Sequence, residues 1–148
     1  MSPVIVPFEE RFASSAAEIE KACFSEPWSE QSLLSELQRE DSVMFAALLD
    51  EKVIGWAGPE YVCGEGSVTN IAVLPQNRRI GAGEMLTRSL INACEQLTLT
   101  SLTLEVRPSN EAAISLYKKL GFEELGIRPN FYSFPREDAL MMQLCFNR

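Results

Sequence analysis

The fold of this chain is decided by residues 67–84, which read SVTNIAVLPQNRRIGAGE. The first seven residues have the composition of a strand, and the apolar spacing after Gly83 is that of a helix. A strand that leads through a basic, glycine-containing turn into a helix presents three features to one point: free backbone N–H groups, the positive end of a helix dipole and two guanidinium groups. This arrangement suits a pyrophosphate. The alternative is an ordinary strand-to-helix turn with solvated arginines.

The turn matches neither of the two common nucleotide motifs. No Lys-Ser or Lys-Thr pair follows the second glycine, as it would in a Walker loop, and the spacing of a dinucleotide fingerprint is absent. Nucleotide hydrolysis and hydride transfer are therefore disfavoured. The ligand class that remains is a phosphorylated carrier molecule, bound across the start of a helix.

The segments on either side of this turn predict a mixed α/β sheet covered by helices. Two helices are expected before the sheet, a hairpin follows them, and Pro59 indicates an edge strand or a bulge. The predicted elements are a helix over 13–23, a helix capped by Ser29, strands over 43–49, 53–57 and 67–73, a helix over 83–97, a strand over 101–106, a helix over 111–120 capped by Ser109 or Asn110, and strands near 122–126 and 139–145.

Length and composition indicate one compact domain over residues 1–148. The chain is close to the usual size of about 150 residues per domain, and 46% of it is hydrophobic. Its 13 basic and 21 acidic residues give a net charge of −8, which disfavours nucleic acid as a partner. No basic leader or long apolar run is present, so we expect a cytoplasmic protein without a membrane partner.

The side chains that the sequence lacks narrow the chemistry. There is no histidine, which excludes Ser/His/Asp and Cys/His triads and imidazole metal sites. The four cysteines are far apart and lack the spacing of a zinc or redox motif, so we expect reduced, buried thiols and no metal. Acid and base chemistry must come from a carboxylate, Tyr, Lys or Cys.

Glu105 and Tyr117 are the candidate acid and base groups. Glu105 alternates with Leu104 and Val106, so it faces the opposite side of its strand, where a covered carboxylate gains proton affinity and can serve as a general base. Tyr117 falls on the helix face of Ala113. The structural alternatives are a solvated glutamate and a tyrosine packed with its hydroxyl hydrogen-bonded.

Several segments together resemble the GNAT superfamily of acetyl-CoA-dependent N-acetyltransferases, and within it the bacterial ribosomal-protein alanine N-acetyltransferases. The resemblance covers nearly the whole chain to Met142, which leaves the tail over 143–148 without a role. It implies a mixed, mostly antiparallel sheet with a splayed parallel strand pair at the coenzyme site. The matching segments are FSEPWS (24–29), TNIAV (69–73), the Arg-x-x-Gly-x-Gly turn (78–83), LEVRPSNEAAISLYKKLGF (104–122), IRPNFY (127–132) and REDA (136–139).

The resemblance also implies a role for each matching residue. Backbone groups of β-strand residues would bind the pantetheine arm of acetyl-CoA, the basic turn would bind its pyrophosphate, and a carboxylate and a phenol would act as base and acid. No metal is implied. The residues are Ile71, Ala72 and Val73 for pantetheine; Arg78, Arg79, Ile80, Gly81, Ala82, Gly83 and Glu84 for pyrophosphate; Asn110 for the coenzyme near the splay; Glu105 as base; and Tyr117 as acid.

The required chemistry agrees with these roles. An α-amino group, with a pKa of about 7.7–8.0, must lose a proton before it attacks a thioester, and the departing sulfur leaves best as a thiol. Glu105 would take the first proton, directly or through water, and Tyr117 would supply the second. Backbone N–H groups near Val73 would stabilise the developing oxyanion. No covalent enzyme intermediate is needed.

The implied acceptor is the N-terminal alanine of a basic protein, small-subunit ribosomal protein number eighteen. A small-molecule amine or lysine side chain is the first alternative, and a non-catalytic acyl-CoA-binding module is the second. Phe131 stands where the family commonly has Tyr, which would alter how the acceptor is held, and Glu84 places a negative charge beside the phosphate turn. Trp28 suits either an acceptor channel or a hydrophobic lid.

Overall fold

The computed structural model describes residues 2–146, which form a seven-stranded sheet with helices packed on it. Of the tail over 143–148, residues 147 and 148 lie outside the described residues. The strands are β1 (Val4–Pro7), β2 (Phe45–Leu49), β3 (Lys52–Val62), β4 (Glu65–Val73), β5 (Ser101–Val106), β6 (Glu123–Tyr132) and β7 (Glu137–Cys145). The helices are α1 (Ala13–Cys23), α2 (Glu30–Leu37), α3 (Ala82–Gln96) and α4 (Glu111–Lys119), with single 3₁₀ turns at Glu10–Phe12 and Pro75–Asn77.

The sheet is mixed and mostly antiparallel, as predicted. Its strand order is β1-β2-β3-β4-β5-β7-β6. The pair β4–β5 runs parallel, and the other neighbouring pairs of the described sheet run antiparallel. A parallel pair needs a crossover connection, which α3 supplies between β4 and β5.

The expectation that two helices precede the sheet is wrong, because β1 comes first. It pairs antiparallel with β2, with Val4 opposite Leu48 and Pro7 opposite Phe45. A segment of four residues that ends in proline carries too short a pattern to read as a strand. It becomes one because the β2–β3 hairpin offers it an edge, and an edge strand tolerates proline.

The bulge expected at Pro59 is confirmed. The pairing of β3 with β4 shifts register between Gly58 and Pro59. The strand is not at an edge, because β3 lies between β2 and β4. It also continues to Val62, well beyond the predicted end at Ala57.

Helix caps follow the sequence closely. The Ser29 hydroxyl accepts a hydrogen bond from the N–H of Ser32 at 3.1 Å and caps α2, and the Asn110 side chain caps α4. Helix α1 has its predicted bounds and buries Ala16 and Ile19. Ala22 follows Ile19 by three residues, a helical spacing that predicts an inward position, but it is exposed.

Two apolar clusters form the core, one on each face of the sheet. Leu86, Leu90 and Cys94 of α3 belong to the first, and Trp56 packs with α1 residues in the second. Gly55 permits the first packing, since a Cβ there would lie 2.7 Å from the carbonyl oxygen of Ala72 and 3.3 Å from the Leu86 side chain. Burial of these side chains supplies the main driving force for folding.

The four cysteines are free, but the expectation that all are buried is wrong. Cys94 is buried in the core, and Cys23 is half-buried. Cys63, in the β3–β4 turn, and Cys145, at the end of β7, are exposed. Within residues 2–146, no cluster of acidic and sulfur ligands could hold a metal, and no helix is long and apolar enough to cross a membrane.

Candidate active site

A cavity opens where the two parallel strands separate. Strands β4 and β5 pair at Glu65–Ser101, Gly66–Leu102 and Ser67–Thr103, and their pairing stops there. The cavity has a volume of about 490 Å³. Its walls come from the segment between α1 and α2, from β4, from β5 with α4, and from the β6–β7 turn. The lining residues are Cys23, Phe24, Ser25, Glu26, Trp28, Val68, Thr69, Asn70, Ile71, Leu104, Glu105, Val106, Arg107, Asn110, Tyr117, Phe131, Tyr132, Ser133, Phe134 and Pro135.

Glu105 lies in this cavity between two buried neighbours. Leu104 is 2% exposed and Val106 is 6% exposed, whereas the Glu105 side chain keeps 24% of its exposure. Its Oε1 lies 3.7 Å from Nη1 of Arg128 on β6, a long contact with a half-exposed partner. Such a contact orients the carboxylate weakly and leaves it accessible for proton transfer.

Tyr117 lines the same cavity from α4. Its ring packs on Phe122, with 5.7 Å between the ring centroids. Burial raises the pKa of Tyr117 to about 12, and the neighbouring Tyr132 adds to the effect. The phenol therefore holds its proton throughout the neutral range, which a general acid requires.

Tyr132 is a site residue that sequence reasoning did not single out. It ends β6 and lines the cavity, and its pKa is raised to about 12 by burial first and then by the charge of Glu105. The guanidinium of Arg107 lies 4.4 Å from its ring centre. Phe131 packs edge-on against it at 4.9 Å, so the hydroxyl at this wall comes from Tyr132. Tyr132 lies in the matching segment over 127–132, which the sequence shows, but its proximity to Glu105 is visible only in the structure.

Backbone groups of β4 divide between its two sides. The N–H of Leu74 donates to the carbonyl of Ile54 on β3 at 2.8 Å. Because antiparallel pairing alternates, Ala72 also directs its backbone groups toward β3, whereas Ile71 and Val73 direct theirs away from it. Two contacts agree with this alternation: the N–H of Ile71 donates to Asn70 Oδ1 at 3.1 Å, and the carbonyl of Val73 accepts from Cys23 Sγ at 3.3 Å.

The basic turn lies beside the cavity and does not line it. Gly81 has a φ of +89°, and α3 begins directly after it at Ala82. No side chain caps this helix start, so its first N–H groups are open to an anion. Arg78 reaches back toward β4, where its Nε donates to the carbonyl of Val73 at 3.3 Å.

The charge of Glu84 is balanced by two cations. Its carboxylate lies 2.7 Å from Nζ of Lys119 and 3.0 Å from Nη2 of Arg88. The hydrogen bond from Lys119, followed by that from Arg88, lowers the pKa of this carboxyl. The side chain therefore adds little net negative charge to the turn.

Asn110 stands where the cavity meets the start of α4. Its Oδ1 accepts from the N–H of Ala113 at 3.2 Å.

Glu137 holds the turn before α4 by accepting from the Ser109 N–H at 2.9 Å and from the Ser109 hydroxyl at 3.0 Å. Arg107 contacts Glu137 at 3.2 Å and donates to the carbonyls of Ser133 and Pro135. The side chain of Arg107 thus fixes the β6–β7 turn to the segment that joins β5 to α4.

Comparison with known proteins assigns the chain to a family. Residues 13–122 match the model of the Acetyltransferase (GNAT) family. The chain belongs to this family. It is 40% identical over 132 residues to the [ribosomal protein bS18]-alanine N-acetyltransferase of Escherichia coli, covering 88% of each chain.

Solved structures agree with the assignment. The crystal structure of the E. coli ribosomal-protein-S18-alanine N-acetyltransferase superimposes with a TM-score of 0.89 at 37% identity, covering 99% of this chain and 95% of that one. PaiA N-acetyltransferase from Thermoplasma acidophilum, solved in complex with coenzyme A, shares the fold with a TM-score of 0.82 at 17% identity over 99% and 100% of the two chains.

The family assignment confirms the predicted enzyme class and co-substrate. The protein is a GNAT acetyltransferase, and acetyl-CoA is its co-substrate. Its own residues fit that molecule, because the uncapped start of α3 suits a diphosphate, and the Ile71 carbonyl and the Val73 N–H, which face away from β3, suit an amide-containing arm. The cavity brings Glu105, Tyr117, Asn110 and Ile71 together.

Proposed function

We propose that this GNAT enzyme acetylates the α-amino group of an N-terminal alanine, with ribosomal protein bS18 as the first candidate acceptor. The observation that carries the proposal is the cavity at the β4–β5 splay, which holds a carboxylate and a protonated phenol in a chain 40% identical to an enzyme of that name. An acceptor of this kind would place the enzyme in the cytoplasm, and neither nucleic acid nor a membrane has a role in the proposal.

Glu105 is the proposed base. A protonated α-amino group must lose a proton before it can attack, and a side chain within hydrogen-bond reach, or one water away, can accept it. Glu105 keeps access to the cavity, and its partner Arg128 is 3.7 Å away, so the carboxylate is free to turn toward an incoming amine.

Tyr117 is the proposed acid. Its pKa of about 12 keeps the hydroxyl protonated at neutral pH, and its position on the cavity wall allows it to donate that proton to a departing thiolate. Bound acetyl-CoA supplies the activated acetyl thioester. Since this donor is already activated, the enzyme needs no nucleophile of its own.

The coenzyme-binding roles divide among three parts of the chain. Backbone groups of Ile71 and Val73 would bind the pantetheine arm, and the Val73 N–H, which faces away from β3, would be available to the acetyl carbonyl oxygen. Residues 78–84 would bind the diphosphate through backbone N–H groups and the two arginines. Asn110 would contact the coenzyme where it enters the splay. Ala72, whose own backbone groups face β3, would contribute through its neighbours only.

The acceptor side of the cavity is aromatic and acidic. Phe24 and Phe134 are exposed at its wall, Trp28 is half-buried there, and Glu26 lines it as well. A chain with a net charge of −8 attracts a basic protein over long range, which raises the rate of encounter. The position of Trp28 favours the acceptor channel among its two predicted roles.

A peptide acetylation assay tests the proposal. The purified enzyme and acetyl-CoA are incubated with a synthetic peptide that carries the N-terminal sequence of bS18, with the same peptide blocked at its α-amine, and with spermidine. We expect mass spectrometry to locate one acetyl group on the α-amine of the free peptide. Faster turnover of spermidine, or acetylation of lysines in the blocked peptide, would show that the acceptor is a different amine. No turnover of any amine would refute the proposal.

A further inference from the structure

A buried carboxylate lies behind the cavity and belongs to neither proposed reaction role. Glu20, on α1, is fully buried. Its Oε1 accepts the backbone N–H of Trp28 at 2.9 Å, and its Oε2 accepts Nε1 of Trp56 at 2.9 Å and Nδ2 of Asn70 at 2.8 Å. Three donors therefore converge on one acceptor group. An ionised carboxylate suits them, because it accepts at both oxygens and donates at neither.

These bonds join two walls of the cavity. Trp28 belongs to the segment between α1 and α2, and Asn70 belongs to β4, and both line the cavity. The Asn70 amide continues the connection, since its Oδ1 accepts the N–H of Ile71. The third donor, Trp56, packs its ring against that of Trp28 at 5.7 Å. One carboxylate thus holds the acceptor wall and the coenzyme strand at a fixed separation.

The arrangement of donors explains why an acid occupies this position. Burial raises the pKa of Glu20, and the hydrogen bonds from Trp28, Trp56 and Asn70 oppose that shift. An apolar residue of the same size would leave three buried donors without an acceptor, and each unsatisfied group destabilises a fold. The three donors therefore require a hydrogen-bond acceptor of this kind at position 20.

We propose that Glu20 is a positioning residue that sets the distance between the Trp28 segment and the Asn70–Ile71 edge of β4, so that an acceptor amine lies beside Glu105. The inference rests on the proposed function, since it assigns the Trp28 segment to acceptor binding. Glu20 itself contacts neither substrate. It acts through Trp28 on one side and Asn70 on the other.

Glu20→Gln separates this role from simple filling of space. The amide has nearly the same shape, and with its oxygen at the Oε2 position it keeps the bonds from Trp56 and Asn70. Its NH₂ group then faces the N–H of Trp28, donor against donor, so that the acceptor wall is released while the coenzyme strand stays held. A matched control is Glu36→Gln, which alters another buried glutamate that does not line the cavity.

Steady-state kinetics on the bS18 peptide give the first test. We expect Glu20→Gln to raise the KM for the peptide about tenfold, the ratio that corresponds to one lost buried hydrogen bond, with the KM for acetyl-CoA changed less than about twofold. Glu36→Gln should leave both values unchanged. Equal peptide KM values in the two variants, or an equal rise in both KM values for Glu20→Gln, would overturn the positioning role. Inactivity of the unaltered enzyme would instead count against the proposed function.

Amide hydrogen exchange tests the same role without an acceptor. In the unaltered protein the Trp28 amide should exchange slowly, because its N–H is bonded to a buried carboxylate. In Glu20→Gln it should exchange at least about tenfold faster, while the core amides of β3 keep the exchange rates that they have in Glu36→Gln. Rapid exchange at Trp28 in the unaltered protein would overturn the proposal, and that measurement stands even if the variant does not fold.

Discussion

Replacement of Tyr117 by Phe removes the hydroxyl with its proton and keeps the ring, so it tests the proposed general acid. The pKa of about 12 means that, at pH 7.5, roughly one phenol in 30,000 is ionised, so essentially every enzyme molecule carries the proton that the leaving sulfur needs. A positioned general acid contributes about 10²–10⁴ in rate. The variant keeps the ring and its packing on Phe122, so we expect turnover to fall by that factor while the melting temperature and the affinity for acetyl-CoA stay the same.

The assay is release of free CoA under saturating substrates, with calorimetric titration of acetyl-CoA alongside. Tyr61→Phe is the matched control, because the Tyr61 hydroxyl donates to the carbonyl of Glu40 at 3.1 Å and does not line the cavity. Tyr61→Phe should retain full activity. A turnover of Tyr117→Phe within about threefold of the unaltered enzyme, well below the usual effect of a general acid, would refute the acid assignment, and Tyr132 would then be the next phenol to test.

Three further changes probe the base, the turn and the pH response. Glu105→Gln should lower turnover by about 10²–10⁴-fold without changing acetyl-CoA affinity, and CoA release with calorimetry measures both. Gly81→Ala should weaken acetyl-CoA binding and cost about 1–2 kcal/mol in stability, seen by titration and thermal melting, because the φ of +89° is strained for alanine although no atom lies within 4 Å of the added carbon. Glu137→Gln should lower the stability at pH 7, and the difference from the unaltered protein should shrink as the pH falls below the ordinary carboxyl range. The reason is that the Ser109 backbone N–H, and then the Ser109 hydroxyl and Arg107, lower the pKa of Glu137. The stability that Glu137 adds is therefore present above its unfolded pKa and is lost as the pH falls through the lowered folded value. Melting curves between pH 3 and 7 give the result, and a constant deficit would contradict it.

The parts of the fold with strong local patterns could be predicted from the sequence. Helix α1 and strand β5 have the predicted bounds, because their burial follows a regular period and clear stop signals flank them. Strand β6 extends to Tyr132, well past the predicted end near Gly126. It contains Pro129 and two irregular pairings with β7, features that obscure a strand in the sequence but are tolerated at a sheet edge.

The site divides in the same way. Glu105 and Tyr117 could be found because strand alternation and helix spacing indicate where each side chain points, and both line the cavity. Glu20 and Tyr132 could not, since their roles depend on partners distant in sequence: 50 residues separate Glu20 from Asn70. Ala72 shows the limit of transfer from a family motif, because only the observed pairing with β3 reveals which way its backbone groups face.

A crystal structure of the enzyme with acetyl-CoA tests the account most directly. It should show the pantetheine arm between β4 and β5 beyond Ser67, bonded to backbone groups of Ile71 and Val73, with the diphosphate on residues 78–84 and the thioester beside Glu105 and Tyr117. A coenzyme bound elsewhere, or a thioester on the far side of β4 from Glu105, would contradict the account.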